Sequence, residues 1–326
     1  MLVAHASTFQ DIPRVYASSK IVITGGAGLV GQNLIARLKA RGVDRIVSID
    51  KAAANSAVLS EQHPDVEVVV ADLATDDGWQ DRLAGADALV SAHAQIGGLV
   101  PAEFVANNIT ASERVVAAAK AHAVPYLVNI SSSVVNSMAV DDYTETKKAQ
   151  EKLVAASGIP QVILRPTLMF GWFDRKHVGW LARFMEKAPV FPVPGSGRFL
   201  RQPLYVGDFC DVIVASIERR ITGAYNITGQ ERIDYIDLVR AMKKATGART
   251  PIVRVPYRLF ALMLRSYALV SSNPPFTEKQ LRALVTPDVF EVIDWPAIFG
   301  VRATPLDEAL AETFGHPVYS KIALQF

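Results

Sequence analysis

The stretch "IVITGGAGLVG", residues 21–31, decides the fold. A β-branched run from Ile21 to Thr24 meets a cluster of glycines and passes into "LVGQNLIARLKARG", whose apolar positions recur at helical spacing. Gly25 is followed by Gly26-x-Gly28-x-x-Gly31, held between a strand and a helix. The early glycines make a tight turn and let backbone approach a pyrophosphate, while Gly31 lets helix meet strand. The free amides that open the helix, from Gly28 through Leu29 to Val30, then point at the phosphates. These residues spell a dinucleotide cradle.

Working outward, the same rhythm repeats. "RIVSID" to 50, "VEVVVAD" to 72, "ADALVSA" to 92, "YLVNIS" to 131 and "QVILRP" to 166 alternate with helical stretches such as "FVANNITASERVVAAAKAH". Nearly all-apolar strands alternating with helices predict a parallel sheet covered on both faces, a doubly wound α/β Rossmann domain. After Pro166 the rhythm breaks at "APVFPVPGSGR", whose prolines and glycines exclude a regular helix. The expected division is a Rossmann domain over 1–166, with returns near 203–228, and a smaller interleaved substrate region over 167–326.

Asp50 closes the second strand. A carboxylate there accepts hydrogen bonds from adenosine ribose hydroxyls and repels a 2′-phosphate, which favours NAD over NADP; the neighbouring Lys51 works against that discrimination. Asp72, followed by Leu73, ends the third strand. It reads either as a contact for the adenine amino group or as a strand-end turn residue.

Composition bounds the rest. Of 326 residues half are apolar and a fifth charged, the balance of a globular chain. A net charge of +2 gives no whole-chain case for nucleic acid. The single cysteine, Cys210, lies in the apolar "GDFCDVIVA", reads as core and excludes an internal disulfide framework. The start of the chain lacks the pattern of a secretory signal, and no apolar stretch reaches the ~20 residues of a membrane span. A cytoplasmic setting is expected. "YRLFALMLRSYALV", 257–270, reads as an apolar helix packed on the core or a subunit, with a membrane-surface helix as the alternative. The six histidines show no metal-ligand spacing.

Tyr-x-x-x-Lys occurs twice, as "YASSK" at 16–20 and "YTETK" at 143–147. On a helix such a pair shares a face. The first pair precedes the glycine loop, far from a reacting nicotinamide. The second follows the fifth strand, whose carboxyl end faces the cofactor in such a sheet. An unperturbed tyrosine, with a pKa of about 10, is a poor base. A lysine ammonium one turn away, together with the positive nicotinamide, is expected to favour the phenolate.

Taken together, the chain resembles the extended short-chain dehydrogenase/reductases, the nucleotide-sugar epimerase and dehydratase group. "TGGAGLVG", "NNITASERVV", "SSS" at 131–133, "YTETK", "ILRPTLMFG", "RQPLYVGD" and "YNITG" match its landmarks in order. The resemblance implies a catalytic set of Tyr143, Lys147 and either Ser132 or Ser133, with Lys147 also binding the nicotinamide ribose. It implies that Asn108, or Asn107, braces the site, that Arg201 binds a diphosphate, and that the protein pairs as a homodimer. Ala92, His93, Ala94 and Pro166 complete the cofactor-binding candidates, and Gln95 joins Ser132 and Arg201 on the substrate side.

Departures narrow the chemistry. The acidic pair of the family's dehydratases is replaced by Val134-Val135, which disfavours dehydration. Leu168 stands where sugar-nucleotide epimerases commonly carry asparagine, and "SAHAQIGG" puts Ser91 at the family's histidine, with His93 two residues on. What remains is an NAD-dependent epimerase acting on a nucleotide-linked sugar through a keto intermediate. The alternatives are an NAD-dependent dehydrogenase of a lipid-linked or other non-nucleotide alcohol, and a non-catalytic NAD-binding subunit. Only positions 133–142 separate Ser132 from Tyr143, so an open pocket is expected there, with the N-terminal extension supplying substrate contacts.

Overall fold

The computed structural model describes residues 18–137, 140–270, 281, 284–285 and 290–325. Its centre is a sheet of seven strands: β1 (Lys20–Thr24), β2 (Arg45–Asp50), β3 (Glu67–Val70), β4 (Ala88–Ser91), β5 (Leu127–Ile130), β6 (Gln161–Pro166) and, much later, β11 (Gly223–Ile227). Their order is β11-β6-β5-β4-β1-β2-β3, and every neighbouring pair is parallel. The chain winds outward from β1 through β2 to β3, then restarts at β4 on the other side. The carboxyl ends of β1 and β4 therefore flank the switch point, where such sheets bind ligands.

Alternation within each strand makes two cores. Ile21, Ile23, Val90, Val128 and Leu164 face one side, against Leu34 and Leu38 of α1 (Leu29–Ala40) and Phe209 and Val212 of α7 (Val206–Arg219). Val22, Leu89 and Leu127 face the other, against Val115 and Ala119 of α4 (Ala111–Ala121) and Val154 of α5 (Asp142–Ala155). Both faces are buried, which explains why the strands read as almost wholly apolar. Cys210 is fully buried in α7, and burial pushes its thiol up to about 12.

After β6 come three two-stranded pairings: β7 (Met169–Phe170) with β10 (Leu204–Tyr205), β8 (Phe191–Pro194) with β13 (Ile252–Val255), and β9 (Leu200–Arg201) with β12 (Ile233–Asp234). α6 (Val178–Lys187) and α8 (Tyr235–Thr246) pack beside them, while α7 and β11 return to the main sheet. Arg37 of α1 ties the two parts together. Its guanidinium donates to Tyr205 Oη at 2.8 Å and Glu312 Oε1 at 2.9 Å, and lies 4.4 Å from the Trp172 ring centre. α9 (Tyr257–Val270) leaves Leu259, Leu262 and Met263 exposed. No helix among the described residues is long and apolar enough to cross a membrane.

Candidate active site

The glycine turn sits at the carboxyl end of β1. Gly25 has φ +70°, and a Cβ there would lie 2.6 Å from His93 N, so both conformation and space require glycine. A Cβ on Gly31 would lie 2.4 Å from Gly26 O, which sets how closely α1 approaches the strand. Gly28 caps α1 with no side-chain hydrogen bond, so Leu29 and Val30 open the helix with amides available to an anion.

Asp50 lies half-buried at the end of β2. Its Oδ2 accepts from Ala27 N at 3.1 Å and its Oδ1 from Ala52 N at 2.9 Å, binding the strand end to the glycine turn. Burial raises its pKa, and the backbone amides of Ala52 and Ala27 act against that rise. Lys51 is exposed and reaches away, to Asn107 Oδ1 at 2.6 Å and Asp72 Oδ2 at 3.5 Å. Asp72 caps its own turn through Ala74 N, at 2.9 Å, and Leu73 is buried in the core.

Asn108 braces the other flank. It lies wholly buried in a π-helical segment, Val105–Thr110, an irregularity frequent at functional sites. Its Oδ1 accepts from Gln95 N at 2.7 Å, and its Nδ2 donates to Gln95 O at 3.1 Å and Thr146 Oγ1 at 3.0 Å. Asn108 thus clamps the segment after β4 to α5, while Asn107 binds Lys51 and Gln95. The Gln95 side chain, half-buried, is already bonded to Asn107 and Gly97.

Tyr143 stands in the first turn of α5, whose start is capped by Asp141 Oδ1 accepting from Thr144 N at 2.8 Å. The Ser132 hydroxyl, just past β5, acts on the Tyr143 phenol and lowers its pKa. Val134 N donates to Ser132 Oγ at 3.4 Å, which leaves the serine proton free to donate. Ser133 is buried too, but Ser132 is the one joined to the tyrosine.

One electrostatic expectation is corrected. Burial raises the Tyr143 pKa; the Ser132 bond lowers it, Asp141 raises it, and Lys147 is not among the causes. The reason is where the lysine points. Lys147 Nζ turns beneath β5, donating to Ile130 O at 2.8 Å and to Gln150 Oε1. Burial lowers its own pKa to about 7, with Glu151 acting the other way.

Other residues sit less centrally. Ala92 donates to Thr24 O at 2.9 Å, Ala94 is exposed, and Pro166 ends β6, buried and opposite Ile227. Arg201, half-buried on β9, lies 5.5 Å from the Phe199 ring centre. Leu168 is 44% exposed just past β6. Of "YASSK", Lys20 opens β1 at the amino end of the sheet and donates to Ala84 O at 3.0 Å; Tyr16 and the rest of the N-terminal extension lie outside the described residues. So do Met138 and Ala139, and Val140 is 87% exposed. No cluster of His, Cys, Asp and Glu among the described residues suits a metal ion.

The sequence profile described as the NAD dependent epimerase/dehydratase family matches residues 21–228, from β1 to just past β11. The chain belongs to that family. It is thus an enzyme of an NAD-dependent family, and the glycine turn, the uncapped start of α1 and the half-buried Asp50 carboxylate fit that cofactor. Among solved structures, UDP-glucuronic acid 4-epimerase from Bacillus cereus, in complex with NAD, aligns with a TM-score of 0.71 at 21% identity. The alignment covers 91% of this chain and 96% of that one. Among curated proteins, a ketoreductase of Stigmatella aurantiaca named for a farnesyl dihydroquinoline oxide is 25% identical, covering 72% of this chain and 76% of its own. Ceramide reductase of Caulobacter vibrioides is 25% identical, covering 74% of each chain.

Within the NAD dependent epimerase/dehydratase frame, Asp50 carries a direct prediction. Asp50→Asn keeps the bond to Ala27 but loses the anion and the bond from Ala52 N, so NAD binding is expected to weaken about tenfold while NADP binding weakens less or improves. Titration with both cofactors reads the change in their ratio. An unchanged ratio would remove Asp50 from cofactor selection.

Proposed function

We propose that this protein is an NAD-dependent epimerase of a nucleotide-linked sugar. The observation that carries the reading is the pairing of Ser132, just past the carboxyl end of β5, with Tyr143, whose pKa the serine hydroxyl lowers, beside the switch point. NAD, when bound, accepts a hydride from the alcohol carbon and returns it. Tyr143 Oη, once its own proton has been released to solvent, takes the proton of the reacting hydroxyl as the phenolate and gives it back on the return step. Ser132, its oxygen bonded by Val134 N, donates its proton to the same substrate oxygen and steadies the developing negative charge. Asn108 keeps α5 in register with the segment after β4. Lys147 binds the nicotinamide ribose, and Arg201 suits a diphosphate by its guanidinium fork. No carboxylate follows Ser132 directly, which separates this site from one that expels water. The resemblance to a UDP-sugar epimerase over most of the fold supports the nucleotide sugar. We also propose a homodimer and a cytoplasmic setting, and the division into a Rossmann domain over 1–166 and a substrate region mainly after 167.

A second reading has its own observation. Leu168 presents an apolar surface where a sugar nucleotide calls for a polar contact, and two curated relatives are named for greasy substrates. That reading is a dehydrogenase or reductase of an apolar secondary alcohol or ketone. The deciding experiment mixes the NAD-loaded protein with UDP- and dTDP-sugars in one series and long-chain 3-hydroxy compounds in another. Epimerisation predicts isomer interconversion without net NADH. NADH accumulating only with the apolar alcohols favours the second reading, and no turnover in either series overturns the proposal.

A further inference from the structure

A chain of uncharged hydrogen-bonding groups runs beneath the site and ends on Lys147. Lys147 Nζ donates to Gln150 Oε1, one turn along the same face of α5. Gln150 Nε2 donates to Ser112 Oγ of α4 at 2.7 Å. Ser112 Oγ lies 3.1 Å from His93 Nε2, and His93 Nδ1 lies 2.8 Å from Thr24 Oγ1 at the end of β1. All five side chains are buried. His93 is held neutral, its pKa lowered to about 3 by burial and by the field of Lys147. With one nitrogen protonated, a consistent arrangement has Ser112 donating to Nε2 and Nδ1–H donating to Thr24. Every link then passes a proton donor in one direction, from Lys147 towards β1.

The charged groups around Lys147 are accounted for. Glu151, next on α5, is bound by Arg165 of β6 at 2.7 and 2.9 Å. Tyr143 lies on the same helix and is protonated, its pKa being raised. Among the described residues Lys147 forms no ion pair; its two hydrogen bonds go to the Ile130 carbonyl and the Gln150 amide.

We propose that Gln150, steered by Ser112 and His93, is a positioning residue for Lys147: it holds the lysine nitrogen beneath β5 on uncharged acceptors, from which it turns to a ribose hydroxyl without breaking an ion pair. A carboxylate in place of the Gln150 amide would grip the ammonium. Losing the amide would leave only the Ile130 carbonyl. Because the acceptors are neutral and Glu151 is held by Arg165, the counter-charge only partly offsets burial, which lowers the lysine's pKa to about 7. The proposal rests on the reading of Tyr143 and Lys147 as the reacting centre.

The test uses the cofactor-free protein labelled with ¹³C at the lysine ε carbons, with the Lys147 signal assigned by its loss in Lys147→Met. Gln150→Met is expected to lower the Lys147 midpoint by about one pH unit, since the ammonium loses a hydrogen bond. Gln150→Glu is expected to raise it by about two units. Ser112→Ala is expected to move it down by a smaller step, and Ser112→Thr, which keeps the hydroxyl, to restore it. On the loaded enzyme the alkaline limb of the kcat profile follows the same order, because activity is lost as the ammonium deprotonates. A Lys147 midpoint unmoved in both Gln150→Met and Ser112→Ala overturns the proposal, and Ser112→Ala alone decides it should Gln150→Met fail to fold. Wild-type turnover in Tyr143→Phe would instead bring down the underlying reading, so the two failures are distinct.

Discussion

Tyr143→Phe is expected to lower kcat about 10³-fold while NAD binding changes by less than about threefold. The substitution removes one oxygen, on which Ser132 acts, and no hydrogen bond among the described residues joins it to the glycine turn. The packing of α5 is unaffected because its start is fixed by Asp141 and its inner face by Thr144, Thr146 and Lys147, all buried. A loss confined to kcat identifies a group that acts when the proton moves. It also excludes a protein that merely carries NAD, since a scaffold has no turnover to lose. Ser132→Ala is expected to follow with a smaller loss, about 10²-fold, because one of the donors to the developing oxyanion is removed. Steady-state kinetics beside cofactor titration reads both variants. Equal losses in kcat and in NAD affinity would make Tyr143 a structural residue.

Gly31→Ala is expected to destabilise the fold by about 3 kcal/mol and weaken NAD binding by about 100-fold. A Cβ at that position would sit 2.4 Å from Gly26 O and 2.5 Å from Gly26 Cα, all backbone that cannot rotate away. α1 must therefore move off β1 and carry the amides of Leu29 and Val30 with it. Gly28→Ala gives the contrast. Its φ is −80°, and its nearest contact would be Gly25 O at 3.2 Å, so Tm is expected to shift little while NAD binding still falls. The glycine at 31 serves helix packing and the glycine at 28 serves approach of the cofactor backbone. Thermal unfolding with and without NAD separates them; equal effects on Tm would erase the distinction.

The seven-stranded sheet is legible in the chain because both of its faces are buried, so its central strands are dense apolar runs, three of them ending in a polar residue: Thr24, Asp50, Ser91. The glycine spacing then locates the switch point without further help. The choices between Ser132 and Ser133, and between Asn108 and Asn107, are open in the sequence because neighbours have equal composition. Their geometry differs only once the π-helical turn over Val105–Thr110 rotates Asn108 towards Gln95 and Thr146. The lysine field on Tyr143 is misread from spacing because four residues on a helix fix a shared face, not the aim of a long flexible side chain. Gln150 carried a local signal, a polar residue one turn beyond Lys147 on the same face. Ser112 carried none, and His93, a cofactor-binding candidate by resemblance, carried none that tied it to Lys147, since positions 38 apart join Gln150 to Ser112 and positions 19 apart join Ser112 to His93.

The most direct test of the reacting centre is a single-turnover experiment on the NAD-loaded protein, following the near-ultraviolet absorbance of bound NADH after substrate is added. The account predicts a transient rise and decay in the wild type and a rise slowed about 10³-fold in Tyr143→Phe. Turnover of substrate with no NADH signal at any time, or equal traces for the two proteins, would contradict it.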